Sequence, residues 1–341
     1  MSLSCVNESK HLYTYVDCSS MMKNLSCKPL FSSDNKMLTD IEIIDSFMVV
    51  IQRMRDTCIL IINQNSQQII AHAGIKGRGP NEVIDIDYIR NIKKDSIGRL
   101  FFDDVNNKKL LFMNFRDKDS RFVLEKLMDY PAAIFPCSNL CISSNYIIGR
   151  KIETDNKNMF FIYNQENDRM TNILFSPEIK GLERNINYFY ASHLAMNDRK
   201  NTIVAGMYFF DMIQLYDLQG NQKRVVHFSK NWKPNVEKQT QMLDFSKGLS
   251  GISFMYATDG YCYIKRRSVS PLQTPNGIEE RVENMIVQMD WNGNLIKTYN
   301  ISEELIGQFC VDEESGKIFA IQHQIEGIKE FYNIVYYDMN E

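Results

Sequence analysis

A strand-and-turn unit that recurs six times constrains the fold of this chain more than any other sequence feature. Each copy is an apolar run that ends in Asn or Asp and leads into a polar turn. The copies are spaced by about 50 residues, with one longer spacing before the fifth. Such turns accept the positive φ angles of tight hairpins, so each copy predicts a strand and a hairpin turn. The six runs are Ile59–Asn63, Leu110–Asn114, Phe160–Asn164, Ile213–Asp217, Ile286–Asp290 and Ile334–Asp338.

A second repeated run precedes each of these strands, so each repeat contains about four strands. A four-stranded sheet of this kind buries its faces only against neighbouring sheets, and six repeats therefore predict an all-β, six-bladed β-propeller with antiparallel blades. The hydrophobic content of 44% is sufficient for a large core. The second runs are Asp45–Ile51, Asp95–Phe102, Ser144–Gly149, Asp198–Val204, Thr258–Ile264 and Asp312–Ile321.

The last repeat lacks its fourth strand, because the chain ends at Glu341 soon after the third. Ser26–Phe31 is the predicted replacement, and its pairing with the C-terminal strand would close the ring and cover two sheet edges. Pro29 favours an outer strand, where its missing N–H is tolerated. The sequence therefore predicts a propeller over residues 26–341, preceded by a tether or truncated lipoprotein signal over residues 1–25.

The densest loop signature of the chain is His72–Glu82. Together with the repeats, this loop resembles that of the six-bladed, TolB-like propellers of gut bacteria, which are secreted or lipid-anchored and mostly have no assigned activity. Their first interblade loop typically reads Gly-x-Gly-x-Gly-Pro-Gly-Glu. Gly77, Gly79, Pro80 and Glu82 match that pattern, and Asn81 replaces a glycine. The resemblance covers roughly residues 26 to 341 and implies a fold and a location, without specifying a ligand.

Three interpretations of the glycine loop remain open. It is a structural turn between blades, or a turn that also presents Arg78 and Glu82 to a ligand, or a phosphate-binding loop. Phosphate-binding loops precede a helix, whose N-terminus faces the anion. The alternating segment Val83–Asp87 predicts a strand instead, which favours the structural turn. Arg78 in turn either binds a ligand or pairs with Glu82 or a neighbouring blade.

The N-terminal segment predicts the location of the protein. Met1–Ser4 supplies small residues before Cys5, as in a lipidated bacterial signal, although the basic and apolar leader is missing. We expect a periplasmic or surface lipoprotein with Cys5 as the lipidation candidate. The alternative is an ordinary N-terminus on a cytoplasmic protein. The sequence predicts no transmembrane helix.

The net charge of -3 and the pI near 6.0 give no electrostatic reason to expect nucleic acid as a partner. The eight cysteines contain no zinc-binding spacing. Cys58, Cys262 and Cys310 lie in apolar runs and are predicted to be buried. Cys137 and Cys141 are close enough in sequence to form a disulfide.

The favoured function is a monomeric, non-enzymatic binding or scaffolding propeller without a cofactor, whose ligand is a protein, a peptide or a glycan. We expect the ligand on the face formed by interblade loops and by loops between second and third strands, including an inserted loop, Ser268–Arg281. The alternative is a calcium-dependent, lactonase-like hydrolase or lyase, with the metal held in the central channel near Asp103, Asp104, Asp85 and Asp87. The predicted ligand-binding residues are Arg53, Arg55, Arg78, Glu82, Asp104, Tyr208, Arg266, Arg267 and His323.

Overall fold

The computed structural model consists almost entirely of β-strands arranged in six sheets. It divides into two compact units: unit 1 comprises Met1–Asn24 and Pro136–Ser302, and unit 2 comprises Leu25–Phe135 and Glu303–Glu341. The structure describes residues 13–34, 37–53, 56–79, 82–84, 86, 89–90, 98–116, 122–152, 158–179, 186–230, 233, 236–237, 242, 244, 249–274, 277–301, 305–326 and 329–341.

Unit 1 contains three blades, and two of them gain a fifth strand from the N-terminal segment. The short helix α1 (Ile186–Phe189) precedes the second of these blades. The strands, in the order of each sheet, are β12 (Cys137–Ile142), β13 (Tyr146–Lys151), β14 (Asn158–Asn164) and β15 (Arg169–Leu174); then β16 (Ser192–Asn197), β17 (Thr202–Met207), β18 (Met212–Tyr216), β19 (Gln222–His227) and β1 (Tyr13–Tyr15); then β20 (Leu249–Ala257), β21 (Tyr261–Thr274), β22 (Gly277–Asp290), β23 (Leu295–Ile301) and β2 (Met22–Leu25).

Unit 2 contains the other three blades, each with four strands. In the order of each sheet these are β4 (Met37–Ile44), β5 (Phe47–Arg53), β6 (Thr57–Asn63) and β7 (Ile69–Ile75); then β8 (Ile89–Arg90), β9 (Arg99–Asp104), β10 (Lys109–Asn114) and β11 (Leu124–Asp129); then β24 (Leu305–Asp312), β25 (Lys317–Glu326), β26 (Lys329–Asp338) and β3 (Lys28–Asp34). Each of the six sheets has four antiparallel strands, and β1 adds to one of them in parallel, which confirms the predicted six-bladed β-propeller.

The predicted ring closure is also confirmed. Strand β3 pairs antiparallel with β26, the last strand of the chain, over a register that runs from Phe331 opposite Asp34 to Tyr336 opposite Lys28. Pro29 lies opposite Val335, beside a shift in the register, and β3 is the outermost strand of its blade. An outer strand needs hydrogen bonds on one side only, which is why a proline fits there.

The six repeated Asn and Asp residues explain why each third strand stops where it does. Each side-chain Oδ1 accepts a hydrogen bond from the backbone N–H two residues further on, at 2.9 to 3.0 Å. This Asx turn satisfies a backbone donor that leaves the sheet and starts the hairpin. The residues are Asn63, Asn114, Asn164, Asp217, Asp290 and Asp338.

The segment Tyr13–Leu25, which we name the N-terminal strap, overlaps the region that the sequence analysis assigned to a tether. Strand β1 pairs parallel with β19, and β2 lies next to β23. Tyr13 stacks on His227 with ring centroids 5.7 Å apart, and the Asn300 amide donates to Asn24 Oδ1 at 2.9 Å. The strap therefore joins the outer edges of two successive blades of unit 1.

The prediction that Ser268–Arg281 forms an irregular loop is wrong. Strands β21 and β22 continue through it as a paired hairpin, with Thr274 opposite Gly277. Pro271 suggested a loop, but it lies opposite Glu280 beyond the last residue of β21 that pairs with β20, Val269. In a two-stranded ribbon one side of each strand has no neighbour, so a residue without an N–H is tolerated there.

The predicted burial of three cysteines is confirmed, because Cys58, Cys262 and Cys310 are at most 2% exposed. Burial raises the pKa of the Cys262 and Cys310 thiols, so both stay protonated. Cys137 and Cys141 are not joined by a disulfide. The buried cysteines therefore pack in the core as small apolar residues.

Candidate functional site

The glycine loop of unit 2 is built around the Glu82 carboxylate. Glu82 Oε2 accepts a hydrogen bond from the Gly79 N–H at 2.7 Å, and the Glu82 N–H donates to the Gly79 carbonyl at 3.2 Å. A Cβ added at Gly77 would lie 1.9 Å from the same Oε2 atom. Only glycine leaves room there for the carboxylate, so the Gly and Glu positions of the motif form one structural turn. Arg78, between the two glycines, is exposed.

Asp104 holds the chain that follows this loop. Its side chain is fully buried, and Oδ2 accepts from the Ile84 N–H at 3.2 Å and from Asn107 Nδ2 at 2.7 Å. The neighbouring Asp103 accepts from the Tyr130 hydroxyl at 2.9 Å. Among the described residues, no group of three or more His, Cys, Asp or Glu side chains is placed to hold a metal ion.

Arg266 forms a buried ion pair within unit 1. Its Nε and Nη2 atoms donate to the two carboxylate oxygens of Asp211, each at 2.6 Å. Burial alone would lower the pKa of the guanidinium, but the hydrogen bonds and charge of Asp211 raise it. Because removal of one partner would leave an uncompensated buried charge, we assign this bidentate pair a structural role.

The structure does not bring the remaining predicted residues into one site. His323, in unit 2, stacks on Tyr332 at 4.7 Å, and its Nε2 lies 3.4 Å from Glu330 Oε2. Arg53 ends β5, and Arg267 is exposed on β21 of unit 1. Arg55, Asp85, Asp87 and Cys5 lie outside the described residues.

Of the predicted residues, Tyr208 belongs to a cluster of aromatic side chains that is open to solvent at Tyr188. We name this cluster the aromatic patch. His193 and Tyr208 have ring centroids 4.4 Å apart, and Tyr188 lies 4.7 Å from Phe209. The side chain of Tyr188 is 55% exposed, while the other members are half-buried. The members of the patch are Tyr188, His193, Tyr208, Phe209 and Phe254.

Strand ends and a close backbone contact position the patch. Tyr208 follows β17, its N–H donates to the Ala191 carbonyl at 2.9 Å, and its own carbonyl packs against Gly251 of β20. A Cβ at Gly251 would lie 1.8 Å from that carbonyl oxygen, so this approach requires glycine. His193, at the start of β16, contacts Phe254 of β20 at 5.8 Å. Contacts with two blades thus hold the patch in place.

Arg150 places a positive charge beside the patch. It lies near the end of β13, and its Nη2 donates to the Asn187 carbonyl at 3.0 Å, directly before Tyr188. Burial lowers the pKa of this guanidinium, and the nearby Tyr208 phenol opposes that effect. Among the described residues, no carboxylate contacts the Arg150 guanidinium. The arrangement can therefore offer both a cation and aromatic faces to a ligand.

The family follows from the sequence match, which agrees with the fold. Residues 23–314 match the TolB-like 6-blade propeller-like family. The chain belongs to this family, as the resemblance predicted. No curated protein matches this TolB-like propeller significantly.

Two solved structures are similar to this TolB-like propeller. A member of the DUF4221 family from Bacteroides vulgatus is 14% identical, with a TM-score of 0.57 over 91% of this chain and 97% of that one. The structure of U3-55K is 10% identical, with a TM-score of 0.45 over 91% of this chain and 98% of that one. At this level of identity, the Bacteroides structure supports the fold alone.

Sequence reasoning missed most of the patch of this TolB-like propeller. Four of its five members lie in or next to α1, β16 and β17, and Phe254 comes from β20 of another blade, so only the fold brings them together. Two dense aromatic runs, Tyr188–Tyr190 and Tyr208–Phe210, were the available signal. Arg150 lies in an ordinary strand sequence and carries no local motif. No helix among the described residues is long and apolar enough to cross a membrane.

Proposed function

We propose that this TolB-like propeller is a binding or scaffolding protein of the cell envelope, and that its ligand docks on the aromatic patch. The observation that carries the proposal is the exposure of Tyr188, which is 55% accessible, lies beside Phe209 and directly follows Asn187, whose carbonyl accepts from the Arg150 guanidinium. Large aromatic side chains are typical binding anchors, because they offer rigid contact area at low entropic cost.

The position of the patch in its blades supports the same conclusion. Tyr208 follows a second strand, and His193 begins a first strand, so the patch lies at the interblade-loop end of unit 1. The opposite strand ends carry short Asx turns that satisfy their own hydrogen bonds, such as those at Asp217 and Asp290. Binding surfaces are commonly built from loops on a rigid scaffold, and the interblade-loop end has the side chains for one.

Two further elements belong to the proposal. Arg78 is exposed on the glycine loop and offers a guanidinium fork for an acidic group of the ligand. Cys5 follows small residues that resemble a lipidation signal, which supports an anchor in the envelope. An in-frame upstream reading frame that encodes a basic and apolar leader would support this location, and its absence together with unmodified cytoplasmic protein would refute it.

The test is a binding screen of soluble oligosaccharides and peptides, followed by affinity measurements on variants. Replacing Tyr188 and Phe209 by Ala removes one exposed and one half-buried ring and should weaken binding at least about tenfold, which is the scale of an aromatic anchor. Tyr15→Ala is the matched control, because Tyr15 is 52% exposed in the same unit but lies on the strap. Arg78→Ala should weaken binding by a smaller factor.

Two outcomes would overturn the proposal. The first is affinity that is unchanged in the double variant but lost in Tyr15→Ala. The second is a ligand whose binding depends on the turn at Asn292 and Gly293, at the other end of the strands. Melting temperatures within about 2 °C of the wild type would show that each variant is folded, because about 1 kcal/mol corresponds to roughly that shift.

A further inference from the structure

We propose that the ligand of the aromatic patch carries a carboxylate attached to a ring, with the carboxylate on the Arg150 guanidinium and the ring against the aromatic side chains. This inference rests on the proposed function and names the chemical class of its ligand. Uronic acids and aromatic acids share this chemistry.

Arg150 differs from Arg266 and Arg199 of the same unit, because those two arginines form ion pairs with carboxylates and Arg150 contacts a carbonyl. Arg266 is paired with both oxygens of Asp211, and Arg199 lies 3.3 Å from Asp259. Arg150 donates one N–H to the Asn187 carbonyl, although a guanidinium has five N–H groups. A half-buried guanidinium that meets no carboxylate among the described residues is costly, and the burial that lowers its pKa reflects this cost. A carboxylate from outside the chain would compensate it.

The geometry of a guanidinium favours a carboxylate in particular. Its planar fork matches the two carboxylate oxygens in a bidentate arrangement, as the Arg266 and Asp211 pair in the same unit shows. A single guanidinium also balances the charge of a monoanion. The side chain of Arg150 retains partial access to solvent, so an incoming group can reach it.

The aromatic patch supplies the second half of the recognition. The Arg150 guanidinium contacts the carbonyl of Asn187, and the next residue is the exposed Tyr188. Tyr208 lies close enough to Arg150 to affect its pKa, and Phe209 links Tyr208 to Tyr188. The Arg150 guanidinium is therefore held at the backbone beside Tyr188, and Tyr188, Phe209 and Tyr208 form a continuous run of rings. A ligand whose carboxylate is joined directly to a ring can use both at once.

The experiment compares acids with their neutral derivatives by isothermal titration calorimetry. Galacturonate and its methyl ester form one pair of probes, and 4-hydroxybenzoate and its amide form the other. Each neutral probe keeps the ring and loses the charge. We expect one of the acids to bind, and its neutral derivative to bind at least about tenfold more weakly. The pair that shows this difference identifies the source of the ring.

Variants of Arg150 complete the test. Arg150→Met removes the charge and should lower the affinity for the acid at least about tenfold, and Arg150→Lys should recover only part of it, because Lys lacks the fork. Arg199→Met is the matched control, since it removes one exposed arginine from the same unit. The acid and ester comparison in the wild type does not depend on whether the Arg150 variants fold.

Three results would overturn the inference. One is equal affinity for acid and neutral derivative, and another is unchanged affinity in Arg150→Met. In either case, loss of binding in the Tyr188 and Phe209 variant would leave the proposed function standing. The third is the lack of binding by both acids alongside a neutral ligand that binds the patch.

Discussion

The glycine loop of unit 2 and the aromatic patch of unit 1 differ in whether their charged groups are paired with partners within the protein. In the loop, the Glu82 carboxylate accepts a hydrogen bond from the Gly79 N–H, and Gly77 leaves the space that the carboxylate occupies. In the patch, Tyr188 is exposed, and the half-buried guanidinium of Arg150 donates to a carbonyl and has no carboxylate partner among the described residues. The loop is conspicuous in the sequence, whereas the patch is not.

This difference shows what a dense local motif encodes. The Gly and Glu residues of the loop interact with one another within six positions, so their pattern is visible in the sequence. The patch instead draws on residues from a helix, several strands and two blades, which share no local motif. Changes in the loop should therefore act on stability, and changes in the patch should act on binding. The following tests address that separation.

The largest expected effect comes from deleting residues 1–36, which removes the strap and the closing strand β3. The deletion exposes the edge of β26 and removes the buried strap residues Cys18 and Leu25. We expect the melting temperature, measured by calorimetry, to fall by at least about 10 °C, because about 1 kcal/mol shifts a domain of this size by roughly 2 °C.

A shorter deletion, of residues 1–25, keeps β3 and separates the strap from the ring closure. It should cause a smaller fall in the melting temperature. A full deletion that melts within about 2 °C of the intact chain would contradict the role of β3 in stability.

A double-mutant cycle tests the loop. Gly77→Ala places a methyl group where the Glu82 carboxylate lies and should cost about 1–3 kcal/mol in the free energy of unfolding, since the carboxylate loses its bond to the Gly79 N–H. In a Glu82→Ala background the same change should cost much less, because the space is empty. Urea denaturation measures all four proteins. Equal costs in the two backgrounds would show that Glu82 does not determine the glycine requirement.

The smallest expected effect concerns the Asx turns. Burial raises the pKa of Asp217 and Asp290, but hydrogen bonds from Asn221 and Asn294 outweigh it, and both pKa values lie below the ordinary 3.8. Their contribution to stability is therefore present above pH 3.8 and is lost as the pH falls through the lowered values.

Replacing both aspartates by Asn keeps the turn acceptor, as at Asn63 and Asn164, but removes the titration. At pH 7 the variant should be less stable by about 1 kcal/mol or less per site, since one side-chain bond is lost at each. The difference in unfolding free energy should shrink between pH 4 and pH 3. A difference that stays constant over that range would refute the proposed linkage.

The fold was predictable because its information is local and periodic. The six Asn and Asp residues at strand ends form Asx turns within two positions, and their spacing counts the blades. The missing fourth strand of the last repeat likewise predicted that β3 pairs with β26. Both features depend on neighbouring residues or on a simple count.

The candidate site was not predictable in the same way. The partner of Arg266 is Asp211, 55 positions away, and the contact depends on how two blades pack. Pro271 suggested a loop in Ser268–Arg281. Pairing between β21 and β22 makes this segment a hairpin instead, and that pairing is not visible in the local sequence. The strap was also missed, because β1 pairs in parallel with a strand more than 200 positions later and has no repeat of its own.

The strap and strand β3 also determine when this protein can finish folding during its synthesis. Contacts of the N-terminal segment reach partners separated by 210 positions at Thr14, 276 at Asn24 and 313 at Lys28. Strand β1 must therefore wait for β19, and β2 and β3 must wait until nearly the whole chain has been translated. A prematurely terminated product that lacks β26 leaves β3 without its partner, and it would expose strand edges that quality-control proteases and chaperones can recognise.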